Sequence, residues 1–143
     1  MAAREYSTEI LRAHPIIFFD GVCNLCNHSI DVVLRADHAR VFRIASLQGD
    51  TARKLLAPQS DEPEAWSMVL LDGNGMHKRS GAALRVLKRL GGLRGFLGCI
   101  GLCFPGFLRD FVYCLIARYR YRWFGRRETC RTPTDDESSV FLP

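Results

Sequence analysis

Long hydrophobic runs are what this 143-residue sequence most conspicuously lacks. Its longest weakly charged stretch, residues 95–108, is broken by Gly98, Gly101, Pro105 and Gly106, and suits no bilayer-crossing helix, which needs about 20 consecutive apolar residues. The N-terminus, MAAREYSTEILRAHP, carries two Arg and two Glu and has no apolar core of the kind a secretory leader needs. Cysteine is sparse too: six in 143 residues is well short of the roughly 8–10% of small disulfide-stapled secreted domains. There is no internal repeat and no low-complexity tract. A secreted cystine scaffold and a repeat array are thereby excluded. A reducing, cytoplasmic setting is expected, where closely spaced cysteines are redox-active or metal-binding.

What is present suffices for one core: 48% of residues are hydrophobic and 24% charged. The net charge of +5 is unevenly spread. Residues 118–131 hold six Arg against Glu128, and residues 132–143 hold three acids and no base.

Ile16, Ile17, Phe18 and Phe19 form a continuous apolar run stopped by Asp20-Gly21, the pattern of a strand covered on both faces. Cys26, Ile30, Val33 and Leu34 then fall on one helical stripe up to about residue 37. A second strand is predicted over 41–45, a short helix over 48–56, a strand over 67–71, a turn at Asp72-Gly73-Asn74-Gly75 and a hairpin partner over 76–79. Ser80 is a candidate N-cap for a helix ended by Gly91-Gly92. The order β-α-β-α-β-β-α combines a parallel crossover with a hairpin, hence a mixed sheet flanked by helices. Beyond it, Leu108, Phe111, Val112, Leu115 and Ile116 recur at helical spacing after Pro105 and are expected to lie over the core as a packed lid.

Chemistry concentrates in Asp20-Gly21-Val22-Cys23-Asn24-Leu25-Cys26, a dithiol between the end of a buried strand and the start of a helix. Free N–H groups and the dipole at a helix N-terminus favour a negative sulfur, which marks Cys23 as the nucleophile. Cys26, one turn deeper on the same face, is placed to resolve the mixed disulfide. Half of a zinc site is the competing reading of the pair. Asp20 allows three: a proton acceptor for Cys26, an acceptor for the N–H groups of the turn, or a plain strand terminator. His28 points away from Cys26 and reads as a surface residue.

Two blocks carry a resemblance. FDGVCNLC supplies Asp20, Cys23 and Cys26, and a distant second block supplies Pro105, Arg109-Asp110, Tyr113, the run from Ala117 to Gly125, and Cys130. In this the chain is similar to the DCC family of thiol-disulfide oxidoreductases, from about Pro15 to Pro133. The resemblance implies a thioredoxin-like α/β fold with a helical C-terminal extension. It also implies thiol-disulfide exchange, of protein-disulfide reductase type, by Cys23 and Cys26 with Asp20. Glutaredoxins and thioredoxins place a cis-proline beside the dithiol to hold substrate backbone; here Ser67 takes that place, and Asn24 and Leu25 fill the motif. Ser67, Asn24 and Leu25 are therefore the candidate substrate contacts.

The resulting organisation is a lead (1–14), a thioredoxin-like core (15–92), a helical extension packed on the core (93–131) and a flexible acidic tail (132–143). Neither a metal nor an organic cofactor is implied. The expected partners are a disulfide-bearing protein or small molecule and a thiol donor, and no nucleic acid. On the alternating Arg–aromatic stretch, Tyr119 and Trp123 are expected to pack inward while the Arg heads stay in water. Arg118, Arg120, Arg122, Arg126 and Arg127 could then touch an anionic membrane surface. Cys99, Cys103 and Cys114 read as structural, and so does Cys130. A non-catalytic module that binds a membrane or a partner, or a small zinc protein, is the alternative function.

Overall fold

The run Ile16–Phe19 is buried at every position and forms β1, the centre of the sheet, as a strand covered on both faces must. A computed structural model describes residues 8–47, 49–56, 68–126 and 133–142. In chain order these form α1 (Thr8–Ala13), β1, α2 (Asn24–Ala36), β2 (Arg43–Ser46), α3 (Asp50–Leu55), β3 (Val69–Asp72), β4 (Gly75–Lys78), α4 (Arg79–Leu90), α5 (Gly92–Cys103), α6 (Gly106–Phe124) and β5 (Phe141–Leu142). The sheet order is β4-β3-β1-β2-β5. β1 runs parallel to β2, with Ile16 opposite Arg43, and antiparallel to β3, with Ile16 opposite Leu71. Parallel pairing needs a crossover, and α2 supplies it.

Alternation along β1 divides the core between the two faces of the sheet. Ile17 and Phe19 pack with Ile30 and Val33 of α2 and with Ala82 and Val86 of α4. Ile16 and Phe18 pack on the other side with Leu11 of α1 and Ala52 of α3. This is the mixed, helix-flanked α/β sheet of a thioredoxin-like fold, with element ends within about two residues of those the pattern predicts. Ser80 caps nothing: α4 begins one residue earlier, and the Ser80 hydroxyl instead donates to Asp110 of α6.

Two expectations are corrected. The acidic tail is not a free appendage, because Phe141 and Leu142 add β5 to the edge of β2, Val140 is buried, and Arg40 donates to Ser139 Oγ at 2.6 Å. Nor is α6 a lid with its apolar stripe turned inward. Leu108, Phe111, Val112, Leu115 and Ile116 are all exposed, while the side facing the core carries Tyr113, Ala117 and Arg120. A hydrophobic stripe ordinarily faces the core, but here polar side chains are needed at the dithiol, so the helix is turned the other way.

α5 is inverted in the same sense, with Gly95 and Gly98 buried and its Leu, Phe and Ile side chains outward. A Cβ on Gly98 would lie 2.7 Å from both Leu84 O and Lys88 N, which are backbone atoms of α4. Gly98→Ala should therefore force the two helices apart and cost roughly 1–3 kcal/mol in urea unfolding. An unchanged midpoint would contradict so close an approach.

Candidate active site

After β1, Asp20 and the turn at Gly21-Val22 bring Cys23 to the N-cap of α2, with φ −86° and ψ 125°. The turn is tied from two sides. Val22 N–H donates to Asp20 Oδ1 at 3.1 Å, and the buried Asn27 amide donates to Gly21 O at 2.9 Å and to Cys23 O at 2.8 Å. Cys26 N–H, 3.5 Å away, donates to Cys23 Sγ. The two thiols are thus placed together, as the spacing predicts.

Their environments push them apart chemically. A bond from the Cys26 thiol holds the Cys23 thiol down at about 6; the Cys26 and Leu25 N–H groups and the Arg120 charge act the same way, and burial opposes them. Cys26 is pushed up, first by donating to the Cys23 sulfur, then by burial and by the negative charge beside it. At neutral pH Cys23 is therefore mainly thiolate and Cys26 remains a thiol.

Asp20 is fully buried, and its second oxygen, Oδ2, accepts from Arg120 Nη2 at 3.0 Å and from the Tyr121 hydroxyl. The Tyr121 hydroxyl is held above its usual range chiefly by burial and stays a donor. Here the structure corrects the sequence reading again. The Arg120 head is not solvated and is in no position to meet a membrane: at 2% exposure it is the largest fully buried side chain among the described residues. Arg118, Arg122 and Arg126 remain exposed. Trp123 does not pack inward either; it is 57% exposed and stacks on Tyr119 at 5.4 Å.

The end of α6 also covers the nucleophile. Cys23 pairs with Arg126 in an antiparallel bridge, Asn24 N–H donates to Gly125 O at 3.4 Å, and the Asn24 amide donates to Phe124 O at 2.8 Å. Gly125 permits this turn with φ +86°, and a Cβ there would meet Asn24 Nδ2 at 2.9 Å. Asn24, a candidate substrate contact, is engaged with this strap. Leu25 lines a groove of about 120 Å³ beside Cys26, together with Met68, Tyr113 and Arg120. Ser67 lies outside the described residues, but its neighbour Met68 donates its N–H to the Tyr113 hydroxyl at 3.0 Å. Arg127 and Cys130 are likewise outside them.

Of the other cysteines, Cys99 and Cys103 are exposed on α5 and Cys114 is half-buried. His28 is exposed, as the helical geometry predicts. No group of three or more His, Cys, Asp or Glu is gathered among the described residues. Arg120, Tyr121, Tyr113 and Asn27 are the site residues that sequence reasoning missed. The signal for three of them was their shared placement in the second block, with Tyr113 and Arg120 seven residues apart on one helical face.

A mixed sheet in this order, with a dithiol at the junction of its central strand and the following helix, defines a thioredoxin-like protein with a redox-competent cysteine pair. Residues 17–126 match the DCC1-like thiol-disulfide oxidoreductase family, and the chain belongs to it. It is 33% identical to the uncharacterized protein YuxK of Bacillus subtilis (strain 168) over 130 residues, which cover 90% of this chain and 93% of YuxK. To the DCC family protein At1g52590, chloroplastic, of Arabidopsis thaliana it is 36% identical over 117 residues, covering 81% and 68% of the two chains. No solved structure matches. Membership in this family supports a redox role for the pair.

Proposed function

We propose that this chain is a protein-disulfide reductase, working in the reducing cytoplasm, in which Cys23 is the nucleophile and Cys26 the resolving thiol. The observation that carries the reading is the Cys26 N–H directed at Cys23 Sγ on the N-cap of α2, which favours a thiolate at the first cysteine alone. Cys23 thiolate attacks a substrate disulfide; a Cys23–substrate bond forms, the substrate S–S bond breaks, and the departing sulfur takes up a proton. Cys26 gives up its proton and attacks Cys23 Sγ, which closes the Cys23–Cys26 disulfide and releases the second substrate thiol. The substrate gains two electrons and the dithiol loses two, until a thiol donor restores it.

Asp20 is a positioning residue in this scheme, because one oxygen holds the turn and the other holds Arg120 and Tyr121. Leu25 and the strand edge at Ser67–Met68 would border the incoming substrate, and the Gly125–Arg126 strap is displaced when it binds. The test is capture. With a disulfide-linked peptide, Cys26→Ser should accumulate a mixed disulfide that mass spectrometry maps to Cys23, and the wild type should not. An adduct that forms equally fast on Cys26 in Cys23→Ser would reverse the assignment, and turnover by neither thiol would end it.

A further inference from the structure

Among the described residues, nothing covers the outer face of α5 and α6. Of fifteen large hydrophobic side chains exposed among the described residues, thirteen lie between Leu93 and Phe124. Phe107 is 80% exposed, Leu93 73% and Phe111 68%. Monomeric soluble proteins rarely leave so much apolar surface contiguous unless it meets something. The inversion of both helices makes the exposure a property of their sequence: Gly95 and Gly98 of α5 and Tyr113, Ala117 and Arg120 of α6 face inward, and most of the large apolar residues face out.

Charge selects what covers it. Residues 79–126 contain ten Arg and Lys against one acid, Asp110, which accepts from Ser80. That segment is net +9 in a chain of net +5, so the rest is net −4. Within α5 and α6 themselves, residues 92–124 hold five Arg against Asp110, and only Arg120 of these is buried, on Asp20, so a second copy docked through this face would set like charge against like charge, a repulsion that disfavours a symmetric dimer. An anionic lipid surface offers apolar depth and opposite charge together. On α6, Arg118 and Arg122 follow Phe111 and Leu115 at a spacing of seven residues, so cationic heads continue the apolar arc and can snorkel to phosphates. Geometry selects the mode. No single helix among the described residues is long and apolar enough to cross a membrane; α5 and α6 together have the length and composition for it, but the chain bends by 115° between them. Lying in the interface is the arrangement that fits such an elbow.

We propose that the α5–α6 elbow docks this protein, peripherally, on an anionic lipid surface, with Phe107 and Phe111 entering the acyl boundary and Arg118 and Arg122 meeting lipid phosphates. Between α4 and the elbow lies an open apolar groove of about 390 Å³, and Ala83, Tyr113 and Ile116 line both it and the smaller groove at Cys26. Docking therefore sets the dithiol behind α6, one helix away from the lipid, with the two grooves adjoining at Ala83, Tyr113 and Ile116. The proposal is independent of the direction of the redox reaction.

Co-sedimentation of the full chain with vesicles tests it. Binding is expected to mixed phosphatidylcholine–phosphatidylglycerol vesicles at low salt, to weaken as salt rises, and to be far weaker with phosphatidylcholine alone. Brominated lipid should quench a tryptophan emission that Trp123→Phe removes. Phe107→Ser with Phe111→Ser should weaken binding by about tenfold or more, and Arg118→Gln and Arg122→Gln by about fivefold each with a shallower salt dependence. These side chains are exposed, so folding is not at issue; an unchanged circular dichroism spectrum checks it. Cys23→Ser should bind as the wild type does. Absence of binding to the mixed vesicles at low salt overturns the proposal, and so does binding indifferent to Phe107 and Phe111. A concentration-dependent dimer that shifts the Trp123 emission without lipid overturns it as well, and assigns the face to a second copy.

Discussion

Arg120→Leu should destabilise the protein by about 3–5 kcal/mol, the largest loss expected from any single surface-to-core charge change in α6. Its partner Asp20 is fully buried, and the variant would take from its Oδ2 the guanidinium that donates to it, while the Val22 N–H and the Tyr121 hydroxyl still donate. The loss measures the removal of one member of a buried pair and not the net worth of that pair, since desolvating two ions offsets most of their attraction. Asp20→Asn combined with Arg120→Leu should therefore recover a substantial part of it. Arg122→Leu, two residues on but exposed, should stay within about 0.5 kcal/mol. Urea unfolding of the four proteins decides the matter, and equal losses at Arg120 and Arg122 would remove the ion pair from the account. The Arg120 charge also helps hold both thiols down, so its removal should raise the Cys23 titration.

On the proposed function, Cys23→Ser should reduce turnover of a disulfide substrate by about a thousandfold or more, because the serine hydroxyl that replaces the thiol is not ionised near neutral pH. Titration identifies the same residue independently. With the Cys23 thiol held at about 6, its alkylation by iodoacetamide should rise with pH by about tenfold per unit below that value and level off above it. A lowered value means more thiolate at neutral pH, so wild-type reactivity there should already be near its plateau. A midpoint near the free-thiol value of about 8.5 would show that the N-cap of α2 does not favour the thiolate. The Asn24 clasp slows entry of the reagent without moving that midpoint, since a constant accessibility multiplies the rate at every pH.

The core of the fold was legible because its signals are local. Four apolar residues from Ile16 to Phe19, short, β-branched and aromatic and bounded by Pro15 and Asp20-Gly21, point to a buried strand, and Asp72 to Gly75 to a turn. The placement of Cys23 and Cys26 followed from the same strand-to-helix junction. The extension was misread because a periodic stripe tells which residues share a face and not which way the face points. Leu108, Phe111 and Ile116 do share one, yet the opposite face, with Tyr113, Ala117 and Arg120, is the one the protein buries. Arg120 was hidden further by its company: among alternating Arg and aromatic residues, nothing local separates the one guanidinium that meets Asp20 from those in water. Only helical phase counted from Tyr113 and Ala117 distinguishes it.

Arg120 and Asp20 are 100 residues apart, as are Asn24 and Phe124. Contacts of such separation form only after the intervening chain has found its place, because loop closure must be met before they repay it. The strand-to-helix junction that holds Cys23 and Cys26 needs only local sequence, so a partly folded chain already carries a dithiol. What it lacks is Arg120 beside that dithiol and the strap across Cys23. Completing the tertiary structure thus adds the Arg120 charge to the local bonds that already favour a Cys23 thiolate, and lays the strap over Cys23 in the same event.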